Sequence, residues 1–369
     1  MSVGSGAILV VSEANSTETA IVSSLENSGY LIDVVTAADR CLSIIKVKKP
    51  DLIIWSLLSR PDISVLGCIK SKYKNLPVIL HADKDSMAQV VTLLNHDADD
   101  YFAGGESDSE LLNQIVLRTL DNARKKEKMR ILEQDQLAGL RVQQGLLPAT
   151  PATLGGFEFA HFVRPSLIMS GDSVNYVQLG DGRVIFYLAD VSGHGASGAI
   201  VSAIMSGLFQ RLVRKFQHET TATSADMLDW INVELLPLNL EQHITMFLGI
   251  LNGAQNALQY SNAAHFPAGI VSNDESTLFL ELGGLPLGVC DTEYGYHDIS
   301  IDKSFNLVVF SDGVLEIMSE ESIKGKEMQL HLLVQSGNTD IDTLVDHLGL
   351  DEISEVPDDV ALLTVVRKS

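Results

Sequence analysis

Along the first hundred residues, short apolar runs with little internal alternation are separated by longer stretches of helical periodicity, from Ile8 to about Gly105. The runs 8–11, 31–36, 52–55, 78–81 and 100–102 read as strands, and Asp51-Leu52-Ile53-Ile54-Trp55 and Pro77-Val78-Ile79-Leu80 carry apolar side chains on both faces. Strands of that kind are covered by helices on both sides, so the βα units predict a five-stranded, doubly wound α/β domain with a parallel sheet.

Residues 110–144 then read as one helix, ended by Pro148 and Pro151. Leu112, Val116, Leu120 and Ala123 share a face, the charged block 124–128 interrupts it, and Ile131, Leu137 and Leu140 resume it. A coiled-coil homodimer and a single packed connector are both open on this pattern. From 155 onward short β runs follow one another at 158–163, 184–189, 245–251, 257–262, 307–310 and 360–367, with helical patterns at 196–215 and 225–236 set in as blocks. Strands in series with inserted helices predict an α+β layered domain with mostly antiparallel sheets. The expected division is 1–108, a helical connector at 109–150, and 151–369.

The net charge of −22 over 369 residues works against nucleic-acid binding, which rests on a basic surface. Cys41, Cys68 and Cys290 are scattered without C-x-x-C spacing, so the expectation is buried free thiols in a reducing compartment. The N-terminus lacks a basic leader, and no apolar run reaches the length of a bilayer, so neither membrane nor nucleic acid is expected as a partner and the protein reads as cytoplasmic.

Four acidic positions stand at the ends of predicted strands or in turns: Gly171-Asp172, Ala189-Asp190, Ser311-Asp312-Gly313 and Pro357-Asp358-Asp359. Any one Asp-Gly pair is an ordinary turn. Several carboxylates held rigidly at strand ends can together hold hard cations through oxygen, and two such cations give phosphoryl hydrolysis a nucleophile and charge neutralisation without a Ser, Cys or Lys.

The segments Ser170-Gly171-Asp172-Ser173, Ala189-Asp190-Val191-Ser192-Gly193-His194-Gly195, Asn262-Ala263-Ala264-His265-Phe266-Pro267, Gly284-Leu285-Pro286-Leu287-Gly288, Phe310-Ser311-Asp312-Gly313 and Asp358-Asp359-Val360-Ala361 resemble the PPM metal-dependent protein phosphatases, in their SpoIIE/RsbU-like branch. The resemblance implies two Mn²⁺ or Mg²⁺ ions. Asp190 would bridge them, Val191 would offer its carbonyl, Asp172 would complete one site, and Asp312 with Asp358 the other. His194 is the candidate general acid. Asn175 departs from the second Asp that many relatives carry. Gly193 and Gly195 are read as turn formers before the helix, and His265 as a core group.

The first domain resembles a response-regulator receiver through Gly6-Ala7-Ile8-Leu9-Val10-Val11 and Asp97-Ala98-Asp99-Asp100-Tyr101. Where a working receiver has its acidic pair, phosphoacceptor Asp, Ser or Thr, and Lys, this chain has Ser12-Glu13, Ser56, Ala82 and Gly104. A hydroxyl at Ser56 cannot form an acyl phosphate, so the domain is expected to be a degenerate receiver that carries protein contacts. This RssB-like architecture implies a phosphatase acting on phosphoserine or phosphothreonine of a partner-switching regulator, an anti-sigma factor antagonist being the expected substrate. The alternative is a non-catalytic adaptor that binds a sigma factor or antagonist.

Overall fold

The computed structural model describes residues 6–12, 16–36, 40–57, 63–83, 86–94, 98–104, 108–193 and 195–367. Contacts divide the chain into two units, Met1–Gln134 and Asp135–Ser369.

In the first unit, β1 (Ala7–Val11), β2 (Leu31–Val35), β3 (Leu52–Ser56), β4 (Val78–His81) and β5 (Asp100–Phe102) form a parallel sheet in the order β2-β1-β3-β4-β5. This is the doubly wound order of receivers. Side-chain alternation explains why the central strands are apolar throughout. Leu9, Val11, Ile53, Trp55, Val78 and Leu80 pack on one side against α2 (Cys41–Lys48), α3 (Ile63–Lys72) and α4 (Met87–Leu94). Ile8, Val10, Leu52, Ile54 and Ile79 pack on the other against α1 (Ser16–Asn27) and the start of α5 (Ser109–Leu146). Burying each such side chain contributes roughly 1.5–3 kcal/mol.

Only the first three turns of α5 belong to that core, through Leu112, Ile115, Val116 and Leu120. Beyond the basic block, Met129, Leu132 and Val142 are more than half exposed.

The second unit is a sandwich of two antiparallel sheets, ordered β14-β11-β10-β9-β8 and β13-β12-β15-β16-β7-β6. Its strands are β6 (Ala152–Leu154), β7 (Phe157–Arg164), β8 (Ser173–Gln178), β9 (Val184–Val191), β10 (Ile244–Asn252), β11 (Ala257–Ala263), β12 (Ile270–Ser272), β13 (Thr277–Phe279), β14 (His297–Ser300), β15 (Asn306–Phe310) and β16 (Val360–Arg367). Helices α6 (Ala196–Phe216) and α7 (Ser224–Leu235) cover the outer face of the first sheet. Helices α8 (Gly313–Ile317), α9 (Ile323–Gln335) and α10 (Ile341–His347) cover that of the second. Period-two alternation sorts each strand: Ile185, Tyr187, Ala189 and Val191 of β9 face the helices, whereas Val184, Phe186 and Leu188 meet Phe159, Phe247, Val309 and Leu363 between the sheets. The layered α+β architecture is thus the one expected from the strand series.

Two expectations are corrected. Helix α6 is long and apolar enough, by length and composition, to cross a membrane, with a mean hydropathy of 1.3. Half of that window is buried, because Val201, Met205, Phe209 and Leu212 pack on the sheet. Of the cysteines, Cys41 alone is buried; Cys68 and Cys290 are exposed.

Candidate active site

The inter-sheet row of β9 that runs through Val184, Phe186 and Leu188 continues to Asp190, and the row of β8 that includes Val174 and Tyr176 extends backward to Asp172. On the facing sheet, Ala361 and Leu363 of β16 extend backward to Asp359. At one end of the sandwich, the same alternation that fills the core with apolar groups therefore turns carboxylates into the gap. Asp312 follows β15 at the residue before α8, its side chain making no capping hydrogen bond, and Asp358 precedes β16.

Close backbone approach makes this convergence possible. A Cβ on Gly171 would lie 2.8 Å from the carbonyl oxygen of Val191 and 3.2 Å from that of Gly193, and one on Gly313 would collide with the carbonyl of Asp359. Gly193 and Gly195 sit at φ 89° and 72°, a conformation that L side chains rarely adopt, and the chain turns there into α6.

The electrostatics are those of crowded anions. Asp172 is buried, neither of its carboxylate oxygens has a partner in hydrogen-bond geometry, and its pKa is raised well above the usual range, first by burial and then by the charge of Asp190, with Asp359 and Asp312 adding to it and the nearby Ser311 hydroxyl working against it. The Asp190 carboxyl is pushed up to about 7, again by burial first, then by Asp312, Asp358 and Asp359. Asp312, the most open of the group, is raised by desolvation of its inner side and then by Asp358 and Glu316. An orphaned, buried carboxylate is costly unless a cation completes it. Hard oxygen donors, the Val191 carbonyl close beside Gly171, and the lack of any ammonium or guanidinium among the groups that shift these carboxyls fit a divalent metal ion of the Mg²⁺ or Mn²⁺ kind. Among the described residues, no three His, Cys, Asp or Glu side chains are already gathered around one point as ligands. The fit is one of donor chemistry in a cluster whose members repel one another.

Of the residues singled out in the sequence, Asp172, Asp190, Val191, Asp312 and Asp358 lie at this end of the sandwich, and His194 falls outside the described residues. Asn175 is buried in β8, where its side-chain oxygen accepts from the N–H of Tyr176 at 2.9 Å. His265 is buried and bridges the two sheets, with Nε2 3.0 Å from the carbonyl oxygen of Phe310 and Nδ1 3.3 Å from Thr245 Oγ1. Burial lowers its pKa to about 4, and likewise that of His161.

Two residues of this end were given no role of their own in the sequence reading. Asp359 accepts from Ser166 N–H (2.6 Å), Ser166 Oγ (2.8 Å) and Gly171 N–H (2.6 Å), which fastens the loop bearing Asp172 to the opposite sheet. Its only signal was adjacency to Asp358. Gln143, near the end of α5, accepts from Ser170 N–H with Oε1 (3.1 Å) and donates from Nε2 to Ser170 O (2.5 Å). Nothing in the helical pattern distinguishes it from its neighbour Gln144.

Comparison with known proteins gives this arrangement a context. Residues 180–368, just over half of the chain, match the family model described as Stage II sporulation protein E (SpoIIE). Asp172 and all of β8 lie upstream of the matched segment. The chain is 26% identical over 234 residues to the phosphoserine phosphatase RsbU of Bacillus subtilis (strain 168), an alignment that covers 62% of this chain and 68% of that protein. Among solved structures, the SiaA-PP2C domain of Pseudomonas aeruginosa superposes with a TM-score of 0.51 at 17% identity, covering 66% of this chain and 99% of that one. The RsbU and RsbW domains of a Mycobacterium tuberculosis protein superpose with a TM-score of 0.50 at 23% identity, covering 60% of this chain and 62%, less than two thirds, of theirs. At these identities the solved structures speak to the fold alone.

Proposed function

Because the chain belongs to the SpoIIE family of PPM phosphatases, we propose that its second unit is a divalent-metal-dependent phosphatase acting on phosphoserine or phosphothreonine of a protein. The observation that carries this reading is Asp172, buried with both carboxylate oxygens unpartnered beside Asp190. Asp190, Asp172 and the Val191 carbonyl would hold one ion, and Asp190 with Asp312 and Asp358 a second. When bound, two Mn²⁺ or Mg²⁺ ions would supply charge neutralisation at the phosphoryl group and an activated water at neutral pH. The rigid strand ends orient the carboxylates, Asp359 ties the two sheets together behind them, and the apolar filling of the sandwich keeps water out from below. His194 is assigned the proton delivered to the leaving serine oxygen.

On the likeness to RsbU, the substrate class is a phosphorylated regulator of a partner-switching pathway, with an anti-sigma factor antagonist as the specific expectation. The non-catalytic adaptor is disfavoured, since all four acidic positions are kept. The first unit is assigned as a degenerate receiver. Ser56 is buried with its hydroxyl 3.5 Å from His81 Nδ1, the His81 ring stacks on Phe102, and His81 Nε2 is 3.4 Å from Gly104 O, so side chains fill the place where a phosphoacceptor would work. Residues 1–108, 109–150 and 151–369 are taken as receiver-like domain, connector and phosphatase, with the exposed Met129, Leu132 and Val142 of the connector as the homodimer contact.

The test is hydrolysis of p-nitrophenyl phosphate and of a phosphoserine peptide with Mn²⁺ and with EDTA. Turnover that requires the metal and disappears in Asp190→Asn is expected; turnover indifferent to both would sink the proposal.

A further inference from the structure

The Gly284–Cys290 stretch lies outside every helix and regular strand, yet it is fastened at several points. Asn232 of α7 is fully buried and spends both ends of its amide on this loop: Oδ1 accepts from Gly288 N–H at 2.8 Å, and Nδ2 donates to Cys290 O at 2.9 Å. Leu287 is buried and its N–H donates to Ile244 O at 2.8 Å. Tyr294 donates its hydroxyl to Leu285 O at 2.9 Å, and its own N–H is held by Asp229 of α7 at 2.8 Å. Outside regular structure, these partners satisfy the loop's buried backbone groups and hold it in one conformation.

Its position follows from strand register. Strand β11 ends with Ala263 opposite Met246, and two residues further along β10, Ile244 takes Leu287 as its neighbour on that side and Val191 on the other. The loop thus occupies the strand position that β11 vacates, at the carboxylate end of the sheet. With strands about 4.8 Å apart, Leu287 lies about 10 Å from the backbone of Val191 across β10. On either side of the buried Leu287, Leu285 and Val289 are 50% and 56% exposed, two aliphatic groups on a fastened loop at the end of the sheet where the carboxylates gather.

Building on the phosphatase reading, we propose that Leu285 and Val289 are specificity-determining residues, which receive apolar side chains of the substrate protein flanking its phosphorylated residue, and that Asn232 is the positioning residue that holds them there. An extended peptide advances about 3.3–3.6 Å per residue, so the edge is reached about three positions from the phosphoserine. The recognised substrate is then a phosphoserine in a segment with an aliphatic residue at about that spacing. A cluster of carboxylates that raise one another's pKa supplies little attraction for a phosphate-bearing chain before metal enters, and apolar contact beside it is a source of selectivity that does not depend on charge.

The experiment compares the full chain with Leu285→Ser/Val289→Ser on three Mn²⁺-supported substrates. These are p-nitrophenyl phosphate, a phosphoserine peptide with Leu three positions away on both sides, and the same peptide with Gly there. The wild type is expected to prefer the Leu peptide, and the double variant to lower the ratio of kcat/KM for that peptide over p-nitrophenyl phosphate roughly tenfold, mainly through KM, with the Gly peptide ratio unmoved. Asn232→Ala should lower the same ratio; if that variant does not fold, the surface pair still decides. A wild type that hydrolyses p-nitrophenyl phosphate but treats the two peptides alike, or a double variant with an unaltered ratio, overturns the proposal. A wild type inert toward all three with metal present overturns the phosphatase reading itself, and this proposal with it.

Discussion

The two units place their chemistry at comparable positions, the ends of buried strands, and fill them in opposite ways. At the ends of β3, β4 and β5 in the first unit stand Ser56, Ala82 and Gly104, with a histidine ring stacked on phenylalanine. At the ends of β8, β9 and β15, and ahead of β16, in the second unit stand Asp172, Asp190, Asp312, Asp358 and Asp359. Net charge follows the same division: Met1–Gln134 has 15 basic against 18 acidic residues, and Asp135–Ser369 has 11 against 30. A fold can therefore keep its apolar layers intact after its polar site is gone, as in the first unit. A working site, by contrast, holds groups that the fold alone would not favour. The carboxylates of the second unit cost stability until something positive joins them.

The sharpest way to break this comparison is at Asp190. Replacing it by Asn should lower phosphatase turnover by about a thousandfold or more, since several kcal/mol of transition-state stabilisation depend on the cluster. In EDTA the same variant should melt no lower than wild type, and higher if the repulsion dominates. A variant that is both active and destabilised would contradict both halves of the argument.

Metal addition should act in the opposite direction. At a hundredfold excess over its Kd, a bound ion adds about 2.7 kcal/mol, or roughly 5–10 °C of Tm for a unit of this size. Differential scanning calorimetry with Mn²⁺ should show that rise in the wild type and lose it in Asp172→Asn. An equal rise in both would place the ion elsewhere.

The pH dependence separates the cluster from its histidines. His161 and His265 have pKa values lowered to about 4, so they favour folding above the unfolded value near 6.5, and that contribution is lost as pH falls through 4. Each is worth on the order of 3 kcal/mol over that window. Asp190, raised to about 7, has the reverse sign: its protonated form favours the fold below the usual carboxylate range, and this is lost as pH rises through 7. In EDTA the wild type should therefore show a shallow stability profile between pH 4 and 7, and Asp190→Asn a profile that climbs with pH. Denaturant titrations at pH 4.5, 5.5 and 6.5 would show it, and parallel profiles would count against the assignment.

The smallest expected effects lie in the first unit. Ser56→Ala should change stability by no more than about 1 kcal/mol, its hydroxyl making a long contact, 3.5 Å, with His81 Nδ1. Acetyl phosphate with Mg²⁺ should leave no label on the unit, and incorporation at Ser56 on mass spectrometry would restore a receiver function.

Much of this was legible in the order of residues, for identifiable reasons. Central strands such as β3 and β9 are continuous or alternating apolar runs, so their period shows directly. Strand β8 was missed because Ser173 and Asn175 are polar yet buried, Ser173 being satisfied by the Tyr187 hydroxyl at 2.9 Å. Strands β12, β13 and β14 are three or four residues long and take their form from neighbours, as do α8, α9 and α10, whose apolar faces find a core only against the assembled second sheet. The acidic positions stood out because each ends a strand or occupies a Gly-rich or Pro-Asp turn. The roles of Asp359 and Gln143 were not legible, because they lie in partners 188 and 27 positions away along the chain.

The Gln143 amide has a mechanical consequence. Because it grips the N–H and the C=O of Ser170 together, it reads the position of α5 along its axis, as a pawl reads a toothed wheel. Sliding the helix by a single residue, about 1.5 Å, or turning it by about 100°, cannot preserve both bonds. Ser170 stands two residues before Asp172, so the register of the helix and the placement of the buried carboxylate are one variable rather than two.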